Sequence, residues 1–94
     1  QVKVLPISDR FVDYAKDVLH SLKQRGVRCE LDQRDEKIGY KIRMAQLEKV
    51  PYMLIVGQKE EESKMISVRD RDQGDMGMVG LEEVLAIIDN AGLE

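Results

Sequence analysis

Cysteine, histidine, proline and aromatic residues are all scarce in this chain, and each scarcity excludes something. The one cysteine, Cys29, has no intrachain disulfide partner, and with a single histidine, His20, no Cys or His pair stands at zinc-ligand spacing. Cys29 sits among Val27, Arg28, Glu30 and Leu31, which suggests a strand and a buried thiol in a reducing, cytoplasmic setting. With two prolines and no low-complexity stretch, repeat or linker, the chain does not read as disordered. Residues 52–56, the longest apolar run, fall far short of the roughly 20 residues that cross a bilayer. No cationic leader precedes a small-residue cleavage site, so membrane and secretory readings have no support. After the first apolar segment stands Pro6-Ile7-Ser8-Asp9, neither a phosphate loop nor a dinucleotide fingerprint. Three Tyr and one Phe leave little for base stacking, so any recognition of nucleic acid has to rest on hydrogen bonds.

The composition that remains, 43% hydrophobic and 35% charged over 94 residues, is that of one folded domain spanning 1–94. The chain opens on Gln1 and enters a strand-like segment at once, so we expect a C-terminal piece of a longer protein. A net charge of −3 argues against a generic DNA-coating surface. That charge is uneven: residues 33–49 carry five Lys or Arg against three acids, whereas residues 73–94 carry five acids and no base.

Hydrophobic spacing predicts the elements. Residues 2–7 read as a strand, and Ser8 or Asp9 is placed to cap a following helix whose stripe is Phe11, Ala15, Val18, Leu19 and Leu22, closed at Gly26. A second strand is expected over 27–32, a second helix over 37–49 ended by Pro51, and a third strand over 51–57, apolar on both faces as central parallel strands are. A turn over 57–63 leads to an alternating strand over 65–71, then a short strand over 76–79 and a last helix through Leu81, Val84, Leu85 and Ile88. The alternation calls for an α/β fold: a three-layer α/β/α arrangement with a mixed, mostly parallel five-stranded sheet and three helices.

Few residues suggest chemistry. His20 reads as solvent-facing or packed on its helix. The second helix has two apolar stripes, Ile38-Ile42-Ala45 and Tyr40-Met44-Leu47, so it is able to touch two bodies, either within the domain or beyond it. Lys37, Lys41 and Arg43 crowd this short helix, and Lys37 stands in its first turn, where free N–H groups attract anions; the plainer reading is a solvated lysine. Ser67, Arg69 and Arg71 share a strand face after the acidic turn Glu60-Glu61-Glu62. Solvated cross-strand ion pairs are the plain account. The alternative is base reading, with Arg offering a donor fork to guanine and Glu accepting from exposed base N–H groups.

Three stretches carry a resemblance. DQRDEKIGYKIR at 32–43, VPYMLIVGQKE at 50–60 and VRDR at 68–71 closely resemble the C-terminal anticodon-binding domain of threonyl-tRNA synthetases, a likeness that covers almost the whole chain. The prolyl, histidyl and glycyl enzymes share the fold and a Pro-aromatic opening of the third strand. The resemblance implies a non-catalytic domain that grips the anticodon stem-loop of threonine tRNA and reads its second and third bases. It implies a parent threonine–tRNA ligase, a cytoplasmic homodimer whose separate catalytic domain uses ATP, Mg and Zn, with no cofactor in this chain and neither membrane nor DNA as partner. Carried over, Lys37 serves the loop backbone or a base, Arg43 helps hold the loop, and Glu60 and Arg69 read base edges. Asp35 is a further candidate, but the family usually has Asn there, and an ionised Asp only accepts. Three other readings stay open: a stand-alone interaction or dimerisation module, the anticodon-binding domain of a prolyl, histidyl or glycyl synthetase, and a small phosphoacceptor enzyme; the last lacks an acid at the end of the third strand, Val56-Gly57.

Overall fold

The computed structural model describes residues 2–90. Strand β1 (Val2–Pro6) passes through a 3-10 turn (Asp9–Phe11) into α1 (Val12–Gln24), followed by β2 (Cys29–Leu31), α2 (Ile38–Leu47), β3 (Tyr52–Val56), α3 (Gln58–Ser63), β4 (Ile66–Asp70), β5 (Gly74–Val79) and α4 (Leu81–Asn90). The sheet order is β2-β1-β3-β4-β5, with β1 parallel to β2 and β3 and β4 antiparallel to both β3 and β5. This is the expected α/β class with its mixed five-stranded sheet.

Because β2 and β3 lie on opposite sides of β1, two right-handed crossovers place α1 and α2 on opposite faces. On the α1 face, Val2, Val4, Leu54, Val56, Ile66 and Val68 meet Ala15, Val18 and Leu22 of α1 and Val84 and Ile88 of α4. The other face is a smaller cluster: Leu5 and Met53 under Ala45 of α2, flanked by Ile38, Ile42, Val50 and Ile55. Alternation along β3 serves both layers, which is why its sequence is apolar throughout.

Two lysines fix α2 over β1. Lys41, only 3% exposed, donates from Nζ to the Pro6 carbonyl at 2.9 Å. Near the other end of the helix, Lys3 Nζ donates to Glu48 Oε1 at 2.5 Å.

The expectation of three helices needs correcting, because residues 57–63 form α3 and not a simple turn. The Gly57 N–H donates to Glu60 Oε1 at 2.9 Å, so a glutamate one turn in closes the helix start, and Gln58 donates to Glu62 across one turn. Six residues are too few to show an apolar stripe. The caps also differ from expectation: neither Ser8 nor Phe11 makes a side-chain cap bond, and the chain enters α1 through the 3-10 turn. Gly26 does take the left-handed φ of 81° that closes α1. α2 ends at Leu47, and Lys49 (φ 61°) turns the chain toward β3. At the far edge, the β4–β5 register shifts between Val68 and Arg69, and Gly74 and Gly77 hold φ of 82° and 91°.

The two faces of α2 predict different tolerances. Met53→Ala, under α2 in the core, should cost about 2–5 kcal/mol in urea unfolding. Leu47→Ala, at a side chain 67% exposed, should change stability by less than about 0.5 kcal/mol. Equal losses would place Leu47 in the core.

Candidate nucleic-acid interface

The carboxyl ends of β1, β2 and β3 lie along one end of the sheet, and the turns leaving them lie side by side there. Between the turn after β1 and the loop before α2 is an open hollow of about 600 Å³, lined among others by Ser8, Arg10, Arg34, Asp35, Lys37 and Lys41. Both donors and acceptors line it, and its size suits a nucleobase or nucleotide. Lys37 is the N-cap of α2 and makes no side-chain cap bond, and no acid stands in the first turn. Asp35 does not cap the helix either; both side chains are exposed, with no hydrogen bond or ion pair to the described residues.

The loop carrying them is rigidly based. Asp32 follows β2, its N–H donating to the Val4 carbonyl at 3.0 Å. Its buried carboxylate accepts from the Arg34 backbone N–H (3.0 Å), Arg34 Nε (3.0 Å) and Arg34 Nη2 (2.6 Å). These bonds from Arg34 hold the Asp32 carboxyl below its ordinary value of 3.8, against the opposing effect of burial. The guanidinium in turn lies over the Tyr40 ring, 5.5 Å from its centroid.

Across β1 stands the junction of β3 with α3. The Ile7 N–H donates to the Val56 carbonyl, and a side chain at Gly57 would put its Cβ 2.4 Å from Ile7 Cδ1, so this junction is close-packed. Glu60 then faces β4: Oε1 accepts from Gly57, and Oε2 accepts from the Ser67 hydroxyl at 2.6 Å. Ser67 and Arg69 share one side of β4, the side that also holds Met53 and Ile55 under α2. Arg69 Nε is buried and has no hydrogen-bond partner among the described residues. Asp75, opposite Arg69 in register, accepts instead from the Gly77 N–H.

Arg69, opposite Met53 and so level with Lys3, stands toward the amino end of β3, where Lys3 meets Glu48, whereas three candidates lie toward the carboxyl ends of the parallel strands: Asp35 and Lys37 at the hollow, and Glu60 bonded to Ser67. Arg43 is not among them. It is exposed and sits two residues from both Lys41 and Ala45, which places it on the outward side of α2 with Tyr40 and Leu47. The expected Tyr40-Met44-Leu47 stripe is split too: Tyr40 meets Arg34, Met44 is half-buried, and Leu47 is open to solvent. Arg71 leaves the group, its guanidinium donating to the Lys49 carbonyl. Sequence reasoning missed the parts played by Asp32, Arg34, Lys41 and Ser67; the two-residue Asp-x-Arg spacing was the available signal for the first pair.

His20 is exposed beside Gln24, and burial pushes the Cys29 thiol up. No helix among the described residues is long and apolar enough to cross a membrane, and no three His, Cys, Asp or Glu among them converge as metal ligands.

Comparison with known proteins shows the family. Residues 1–91 match the family model described as "Anticodon binding domain". The chain is 60% identical over 88 residues to a threonine–tRNA ligase of Clostridioides difficile, covering 94% of this chain and 14% of that protein. It is 54% identical over 85 residues to the threonine–tRNA ligase of Natranaerobius thermophilus, covering 90% and 13%. It therefore spans about one-seventh of the length of these relatives. Among solved structures, the RNA binding domain of threonyl-tRNA synthetase from Cryptosporidium parvum superposes with a TM-score of 0.91 at 32% identity, covering all of this chain and 24% of that one.

The Asp32–Arg34 pair predicts a pH signature. A carboxyl held low in the folded state contributes stability that is fully present above 3.8 and is lost as pH falls through the folded value. Asp32→Asn should therefore be less stable than the parent at neutral pH, with the gap closing as pH falls below 3.8 in urea unfolding. A gap of constant size would show that the pair adds no acid dependence.

Proposed function

The chain belongs to the anticodon-binding domain family and its relatives are threonine–tRNA ligases, and from that premise we propose that it holds the anticodon stem-loop of threonine tRNA and reads the second and third anticodon bases. The observation that carries this reading is Arg69, whose buried Nε has no partner among the described residues, on the same side of β4 as Ser67, the residue that links β4 to the buried Glu60. A buried Arg69 Nε without a protein partner is a donor for an incoming acceptor, and Glu60, held in place by Gly57 and Ser67, keeps lone pairs for a base N–H. Asp35 and Lys37 border the hollow before α2, which gives a splayed hairpin loop a second recognition point.

On this reading the parent is a ligase, a cytoplasmic homodimer, whose region outside this chain activates threonine with ATP, Mg and Zn. Arg43 and Leu47, pointing outward from α2, are then available to that region.

Titration with a labelled anticodon stem-loop at low salt tests the proposal. A loop with G and U at its second and third positions should bind more tightly than loops with either base swapped. Arg69→Ala should cost about 1–3 kcal/mol of binding and relax the guanine preference. Equal binding to unrelated loops would overturn base reading.

A further inference from the structure

The loop between β2 and α2 is held almost entirely through one residue. The Arg34 N–H and guanidinium donate three hydrogen bonds to buried Asp32, its carbonyl accepts from the Glu36 N–H at 2.9 Å, and its guanidinium lies over Tyr40 in the first turn of α2. Asp35 sits between these two fixed neighbours, and no bond of its own side chain to the described residues sets its direction. Lys37 is likewise placed only by the backbone that Arg34 and the start of α2 define.

We infer that Arg34 is a positioning residue for RNA recognition: latched edge-on by Asp32 and face-on by Tyr40, it pre-forms the loop that presents Asp35 and Lys37, and so sets discrimination at one anticodon base without touching RNA. This rests on the RNA-binding reading above. Two physical arguments favour it over a phosphate contact. Its fork is already engaged, since both Asp32 carboxylate oxygens accept from it, which lowers its availability as a free cation. A loop ordered before binding loses less conformational entropy on binding, and that advantage is largest where the base-facing side chains have no other support. Lysine cannot replace this latch, because an ammonium has neither the planar fork nor the face.

The test uses this chain and stem-loops swapped singly at the second or the third anticodon base, with Arg34→Lys, Arg34→Gln and Tyr40→Leu variants and a thermal melt of each. Arg34→Lys should lose about tenfold of the discrimination at one base and keep that at the base read from Glu60 and Arg69, with the dependence of binding on salt unchanged. Equal loss at both bases marks a general loss of fold and overturns the inference, as does retained discrimination at both. A salt slope that falls in Arg34→Gln and returns in Arg34→Lys marks a phosphate contact and overturns it too. Should Arg34→Lys melt below the assay temperature, Tyr40→Leu decides by the same criteria. An unmodified chain that fails to distinguish the swapped loops overturns the base-reading proposal and this inference together; one that distinguishes them beside an Arg34→Lys variant that does so equally overturns this inference alone.

Discussion

Lys41 reaches from the middle of α2 to the carbonyl of Pro6, the last residue of β1, and does so from a position almost closed to water. An ammonium taken from solvent is tolerated only where it is hydrogen-bonded, so the helix cannot slide along the sheet without breaking that bond inside the protein. Ala45 lets α2 lie close over Leu5 and Met53, and Lys3 with Glu48 fixes the far end. Registered in this way, the helix start and the hollow beside it have one position relative to the sheet. Every distance between the α2 end of the interface and the β4 end follows from it.

The groups suited to bind RNA are mostly also structural. Glu60 closes the start of α3 with one oxygen and takes the Ser67 hydroxyl with the other. Arg69 shares its side of β4 with the apolar cluster beneath α2. Exposed Lys37 and Asp35 have no such duty, and rely on the Asp32–Arg34–Tyr40 contacts behind them. The interface therefore has two halves of different character: a stiff one whose side chains are held directly, and one whose backbone is held and whose side chains are free.

What was legible in the sequence was what repetition encodes. The stripe from Phe11 to Leu22, the unbroken apolar run of β3 and the alternation of β4 each state a period over several residues, and together they gave the number of strands, the main helices and the mixed sheet, but not the strand order. The resemblance supplied the candidate residues, of which Asp35 and Lys37 border one hollow and Glu60 bonds the start of β4. What escaped reading had no period. α3 is one and a half turns stabilised by a glutamate side chain, and its run of polar residues looked like a turn. Lys37, Lys41 and Arg43 looked like one basic cluster, but at 100° per residue they face a solvent-exposed cap, the interior and the outer side of the helix. Burial of a single lysine depends on a carbonyl 35 residues away, which no local pattern announces.

The sheet ends differ from its centre in a way that matters for handling the molecule. At one margin stands β2, three residues long; at the other β5 carries two glycines of positive φ and a register slip against β4. Short or twisted margins offer a neighbouring copy few aligned amide groups with which to extend the ladder. A domain finished in this way is a poor template for stacking into fibrils when separated from its surroundings.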